Sequence, residues 1–141
     1  MIELLQEDAK KKKSPVESPA QDPEKEPEEE RIFVCARCGT EISSRRHLFA
    51  IRAASYVQVF PNPYGHMKVI YTFRDAKAVK VAGTATDEFT WFAGYTWRIA
   101  YCAACSSHLG WLFETIGTDE PPAFYGLLKD ALVESEARSP I

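Results

Sequence analysis

The chain has 141 residues, 45% hydrophobic and 26% charged, with a formal net charge of −3. That length suits one compact domain rather than two, and the near-balanced charge excludes a strongly basic footprint for nucleic acid. No apolar run approaches the ~20 residues needed to span a bilayer, and the acidic start, Met1 to Asp8, does not read as a secretory signal, so no membrane partner and a cytoplasmic location are expected.

Composition changes sharply near Arg31. Residues 1–30 hold ten acids, five lysines and four prolines, and no aromatic residue. Such a segment buries too little apolar surface to offset its ordering entropy, so 1–30 is expected to be a disordered acidic tail. The lysines from Lys10 to Lys13 could attract an anionic partner or simply be solvated. Residues 31–135 carry every aromatic and every cysteine and form the expected domain, with 136–141 a disordered C-terminus.

Within the domain the pattern is mainly β. Ser55 to Phe60 is aromatic and β-branched and stops at the turn sequence Pro61-Asn62-Pro63-Tyr64-Gly65. Met67 to Phe73 reads as the returning strand of a hairpin, and Lys77 to Val81 as a shorter strand ending at Gly83. Phe89 to Phe92 and Tyr95 to Tyr101 read as two strands turning at Gly94, and Leu109 to Thr115 as another. From Phe124 to Leu132 the apolar residues 124, 127, 128, 131 and 132 follow helical spacing, which predicts one short C-terminal helix.

Cys35-Ala36-Arg37-Cys38-Gly39 and Cys102-Ala103-Ala104-Cys105 form two C-x₂-C pairs, 63 residues apart. Two intervening residues let both sulfurs turn toward one ion, and Gly39 can supply the positive φ such a turn needs. Four thiolates make a closed tetrahedral site of structural Zn²⁺ type. Iron, a redox pair or two unrelated pairs are the alternatives. His108, three residues after Cys105, could stand in for a cysteine but is expected in a loop or the core. No open coordination position is implied, so no catalytic metal is expected.

All three tryptophans fall between positions 91 and 111. If Gly94 turns a hairpin, Trp91 and Trp97 can converge, and Trp111 follows the second cysteine pair. Three indoles can box a small flat ring or, with Asp87 and Glu88 nearby, a cation. They can equally be core packing.

The segments from Glu88 to Trp97 and from Cys102 to Phe113 resemble the hallmarks of the cereblon thalidomide-binding (CULT) domain. The Cys35/Cys38 pair, the Asn62-Pro63 turn and the Phe124-Tyr125-Gly126-Leu127-Leu128 segment agree in order, over roughly residues 31–133. The resemblance, which standalone bacterial members share in having an aromatic at the position of Phe89, implies a β-tent of two antiparallel sheets pinned by zinc. It implies a cage of Trp91, Trp97 and Trp111 that takes cyclic imides such as glutarimide. Phe113 matches the aromatic closing the cage floor, Asn62 the asparagine beside the mouth, and backbone groups of Phe89 and Trp91 match those that bond the imide.

Two departures qualify the transfer. Animal cereblons have histidine where Phe89 stands, and Phe89 cannot make that side-chain contact. The protease-like and helical regions that join cereblon to a ubiquitin ligase have no counterpart in this sequence, so an adaptor role is not expected. The expected function is non-catalytic binding of cyclic imides, of protein C-termini cyclised to such imides, or of uracil-like rings. The alternatives are an enzyme resembling methionine sulfoxide reductase B, which would need a free reactive cysteine, and a methyl-ammonium-binding module.

Overall fold

The structure is a computed structural model that describes residues 28–137. The expected tail at 1–30 lies almost wholly outside the described residues, as do positions 138–141 of the expected C-terminus. A single 3₁₀ turn at Glu28–Glu30 leads into β1 (Ile32–Cys35) and β2 (Glu41–Ser44), followed by a second 3₁₀ turn at Arg45–His47. Then come β3 (Val57–Pro61), β4 (Met67–Phe73), β5 (Val79–Thr86), β6 (Tyr95–Cys102), β7 (His108–Thr115) and β8 (Ala123–Leu128). A last 3₁₀ turn at Lys129–Ala131 leads into β9 (Leu132–Ser135).

The strands make two antiparallel sheets, one of three strands in the order β2-β1-β9 and one of six in the order β3-β4-β8-β7-β6-β5. The mainly β, two-sheet expectation therefore holds. No helix among the described residues is long and apolar enough to cross a membrane.

Two hydrophobic clusters organise the interior. One joins the small sheet to the large one through Phe33, Cys35, Ile42, Phe73, Cys102, Leu109, Leu127 and Leu132. The other contains Ile70, Phe92, Tyr95, Phe113 and Phe124, with the three tryptophans packed against it. Alternation along β4 sends Ile70 to the second cluster and Phe73 to the first, and β8 divides Phe124 and Leu127 in the same way. The middle of the large sheet is thus buried on both faces.

That double burial explains why the helix expected over Phe124–Leu132 is not formed. A central strand covered on both sides is apolar without alternation, and a short run of that kind can mimic helical spacing. The segment is instead strand β8, one 3₁₀ turn and the start of β9. Gly126 decides the matter locally: a Cβ there would lie 2.9 Å from the Phe113 ring and 3.0 Å from Ile70 Cδ1. Its absence lets Phe113 cross over β8.

The strand expected at Phe89–Phe92 is also absent. Those residues belong to a loop between β5 and β6, in which Phe89 takes φ 60°, outside the extended region. Trp91 and Trp97 therefore do not stand on two arms of one hairpin. β5 runs past Gly83 to Thr86, with its register to β6 broken between Ala82 and Thr86. Strands β1, β2 and β9 add to those expected from the sequence. The run Ile32-Phe33-Val34-Cys35 carries the β-branched and aromatic signal that marks β1.

Candidate functional site: a tetracysteine cluster and an aromatic pocket

The two cysteine pairs sit on equivalent turns. The N–H of Cys35 bonds the carbonyl of Thr40 at 2.8 Å, and that of Gly39 bonds the carbonyl of Cys35 at 2.8 Å. The second turn repeats this, with Cys102 N–H to Ser107 at 2.9 Å and Ser106 N–H to Cys102 at 2.8 Å. Both turns thus present their sulfurs in the same way, one from the end of β1 and one from the end of β6.

The four Sγ atoms all lie within 4.8 Å of one another. Across the pairs, Cys35 and Cys105 are 3.7 Å apart and Cys38 and Cys102 are 3.6 Å apart. A tetrahedral ion with thiolates at about 2.3 Å requires neighbouring sulfurs about 3.8 Å apart. The donor set and its spacing therefore fit one metal ion closed by four thiolates. The Thr40 hydroxyl, 3.1 Å from Cys38 Sγ, lowers the pKa of that thiol, while burial and the neighbouring sulfurs push Cys105 up. His108 is not part of the cluster. Its Nε2 lies 3.1 Å from the Gly110 carbonyl and its ring meets Trp111 edge to face at 5.1 Å. Burial lowers its pKa.

The second assembly is a pocket of about 180 Å³ lined by Asn62, Pro63, Phe89, Trp91, Trp97, Trp111 and Phe113. All six residues singled out from the sequence meet there, and Pro63 joins them. Trp97 and Phe113 are register partners across β6 and β7, and Trp111 is paired with Ile99, so these three rings share one face of the sheet. Trp91 reaches the pocket from the Asp87–Gly94 loop and meets Trp111 edge to face, centroids 4.9 Å apart at 73°. Its other face stacks on Phe60 at 5.1 Å and 11°, a contact the sequence reading missed.

Both rim indoles have their N–H groups committed. Trp91 Nε1 donates to the Pro61 carbonyl at 2.9 Å, and Trp97 Nε1 donates to the Glu88 carbonyl at 2.7 Å. These bonds fix the ring planes and leave the π faces as the pocket wall. Asn62 is committed as well, since its Oδ1 accepts the N–H of Tyr64 at 3.0 Å and of His66 at 2.9 Å. The carbonyl of its side chain holds the β3–β4 turn, an Asx turn. Phe89 stands 68% exposed at the rim.

The backbone around Phe89 is the unusual feature. A bulky residue at φ 60° is a strained choice, and such strain concentrates where a local shape serves a site. The loop's internal bonds use Thr90 N–H to Asp87 at 3.2 Å and Phe92 N–H to Thr90 Oγ1 at 3.3 Å. Among the described residues, the backbone groups of Phe89 and Trp91 have no hydrogen-bond partner. Asp87 and Glu88 are exposed and do not line the pocket, so no carboxylate faces its interior.

Comparison with known proteins identifies the family. Residues 31–137 match the family described as Yippee zinc-binding/DNA-binding/Mis18, centromere assembly. Over 101 residues, 70% of this chain, it is 36% identical to protein cereblon of Danio rerio and 33% identical to protein cereblon of Gallus gallus. Each match covers 23% of the relative's own length. Protein cereblon of Drosophila persimilis is 31% identical over 102 residues, 17% of its length. The chain thus corresponds to about a quarter, or less, of the relatives it matches. With its β architecture, paired cysteine turns and matched region together, the chain belongs to the Yippee/Mis18 family and carries a cereblon-like (CULT) domain.

Proposed function

We propose that the domain is a non-catalytic receptor for cyclic imides, bound in the aromatic pocket, with a structural zinc ion held by Cys35, Cys38, Cys102 and Cys105. The observation that carries this reading is the pairing of apolar walls with unused backbone polarity. Three indoles and Phe113 enclose a space beside a strained loop whose Phe89 and Trp91 backbone groups have no partner among the described residues.

A glutarimide has one N–H flanked by two carbonyls and an apolar propylene rim. The indole faces suit the rim. Backbone groups of Phe89 and Trp91 suit the imide edge, as the resemblance to CULT domains implies. A ring lacking either imide group would leave a buried partner unsatisfied, at about 1–3 kcal/mol. About 180 Å³ is smaller than the ~300–1,000 Å³ of sites that enclose drug-sized molecules, so one ring fits and its substituent stays outside. A thalidomide-type compound, a uracil-like ring or a protein chain ending in a cyclised imide meets that condition.

The alternatives find less support. A methyl-ammonium ligand gains from a nearby carboxylate, and none lines this pocket. A thiol-based reductase needs a cysteine apart from the metal ligands, and all four cysteines share one cluster.

Titration with glutarimide and with N-methylglutarimide, followed by tryptophan fluorescence, tests the proposal. Saturable binding of the first and at least tenfold weaker binding of the second is expected. Equal binding of both, or of neither, contradicts it.

A further inference from the structure

Among the pocket walls, Trp91 and Phe89 come from a long loop. Trp97, Trp111 and Phe113 stand on β6 and β7, and Asn62 and Pro63 on a tight turn between paired strands. The Trp91 ring is held by Pro61 and Phe60, and its backbone depends on how the Asp87–Gly94 loop is tied down. At its start, the Glu88 carbonyl is held by Trp97 Nε1. At its end, the buried Phe92 ring anchors the loop in the core and Arg52 ties its backbone.

Arg52 lies in the segment before β3 and is itself held at φ 53°. Its Nη1 donates to the Ala93 carbonyl at 2.7 Å, two residues beyond Trp91. Its Nη2 pairs with the carboxylate of Asp119, and its guanidinium lies over the Tyr95 ring, 5.4 Å from the centroid. The Asp119 carboxylate in turn occupies the space a side chain at position 94 would need, 3.1 Å from an ideal Cβ on Gly94. The Gly94 carbonyl accepts the Ile116 N–H at 2.8 Å, and Tyr95 Oη donates to the Pro121 carbonyl at 2.6 Å. Three loops, around positions 52, 93 and 119, are thus joined at one guanidinium. None of Arg52, Ala93 or Asp119 lines the pocket.

We propose that Arg52, clamped by Asp119, is a positioning residue that sets the Trp91 wall of the pocket and thereby its affinity for a ring ligand. This rests on the aromatic pocket being the ring-binding site. The planar fork of arginine is required, because one end grips a carbonyl while the other meets a carboxylate. The ion pair is partly exposed, its side chains 42% and 37% accessible, so salt screens it. An uncharged ring would then bind with an affinity that falls with ionic strength, although it carries no charge of its own.

The test uses the full, metal-replete chain with Arg52→Gln, Arg52→Lys and Asp119→Asn. Amide hydrogen exchange is read without ligand, and glutarimide is titrated at low and high salt. In Arg52→Gln, faster exchange confined to positions 87–95 is expected, with binding weaker by roughly five- to thirtyfold and independent of salt. Arg52→Lys recovers part of the affinity. Wild-type affinity in Arg52→Gln overturns the proposal, as does unchanged exchange at 87–95 or faster exchange across the whole domain. If the wild-type chain binds no glutarimide, the ring-binding reading fails. The exchange data still decide the clamp: acceleration confined to 87–95 supports it and unchanged exchange removes it.

Discussion

Gly39 and Ser106 hold the same place in the two cysteine turns. Each donates its N–H to the carbonyl of the cysteine four residues earlier, at φ 80° and 66° respectively. The left-handed conformation suits glycine and strains serine. Ser106→Gly should therefore stabilise the metal-replete domain by about 0.5–1 kcal/mol, and Gly39→Ala should destabilise it by about 1 kcal/mol or more. Denaturant unfolding of both variants checks this, and shifts of the same sign would contradict it.

The tetracysteine cluster joins the end of β1 to the end of β6 and thereby links the two sheets. Metal binding to such a site is worth roughly 10–16 kcal/mol in small zinc peptides, comparable to the whole stability of a domain. The purified chain should hold one equivalent of zinc. Cys102→Ala, or a strong chelator, should abolish cooperative unfolding. An unchanged melting temperature in chelator would show that the cluster does not support the fold.

Gly126 is fixed by the ring that crosses it. In Gly126→Ala the new methyl would press on Phe113 and Ile70, at an expected cost of about 1–3 kcal/mol. Phe113 also lines the pocket, so ligand affinity should fall alongside stability. Calorimetric unfolding and a glutarimide titration read the two effects, and a variant of wild-type stability would mean that β8 can shift freely.

Glu134 on β9 ties the small sheet together. Its carboxylate meets Arg45 Nε, Arg45 Nη2 at 3.1 Å and Arg31 Nε at 3.1 Å. The Arg45 bonds, with help from Arg31, hold its pKa below the usual carboxylate range. A depressed folded value adds stability that is present above the unfolded pKa of about 4.3 and is lost as pH falls through the lower, folded value. Glu134→Gln should be less stable than wild type by about 1–2 kcal/mol at pH 7, with the gap closing below about pH 4. A gap that persists at low pH would assign the loss to packing instead.

The sites were more legible in the sequence than the fold around them. Spacing alone brought out the four cysteines, because ligand geometry dictates local sequence. The pocket residues emerged through motif resemblance, and the structure gathers all of them into one wall set. Burial on both faces of a sheet erases the alternation that marks a strand, which made β8 resemble a helix. The Phe89 loop was misread for a different reason. Its residue types favour strands, while a positive φ at Phe89 is a tertiary outcome that no local preference announces. Arg52 was invisible because its partners Ala93 and Asp119 lie 41 and 67 residues away.

The central claim is that an imide ring sits among Trp91, Trp97 and Trp111. Nuclear Overhauser transfer between the methylene protons of glutarimide and the indole protons, in metal-replete protein, reads that placement without relying on any variant. Transfer to all three indoles, lost when excess thalidomide-type competitor is added, is the result expected. Transfer to residues outside the pocket, or none at saturating ligand, would contradict it.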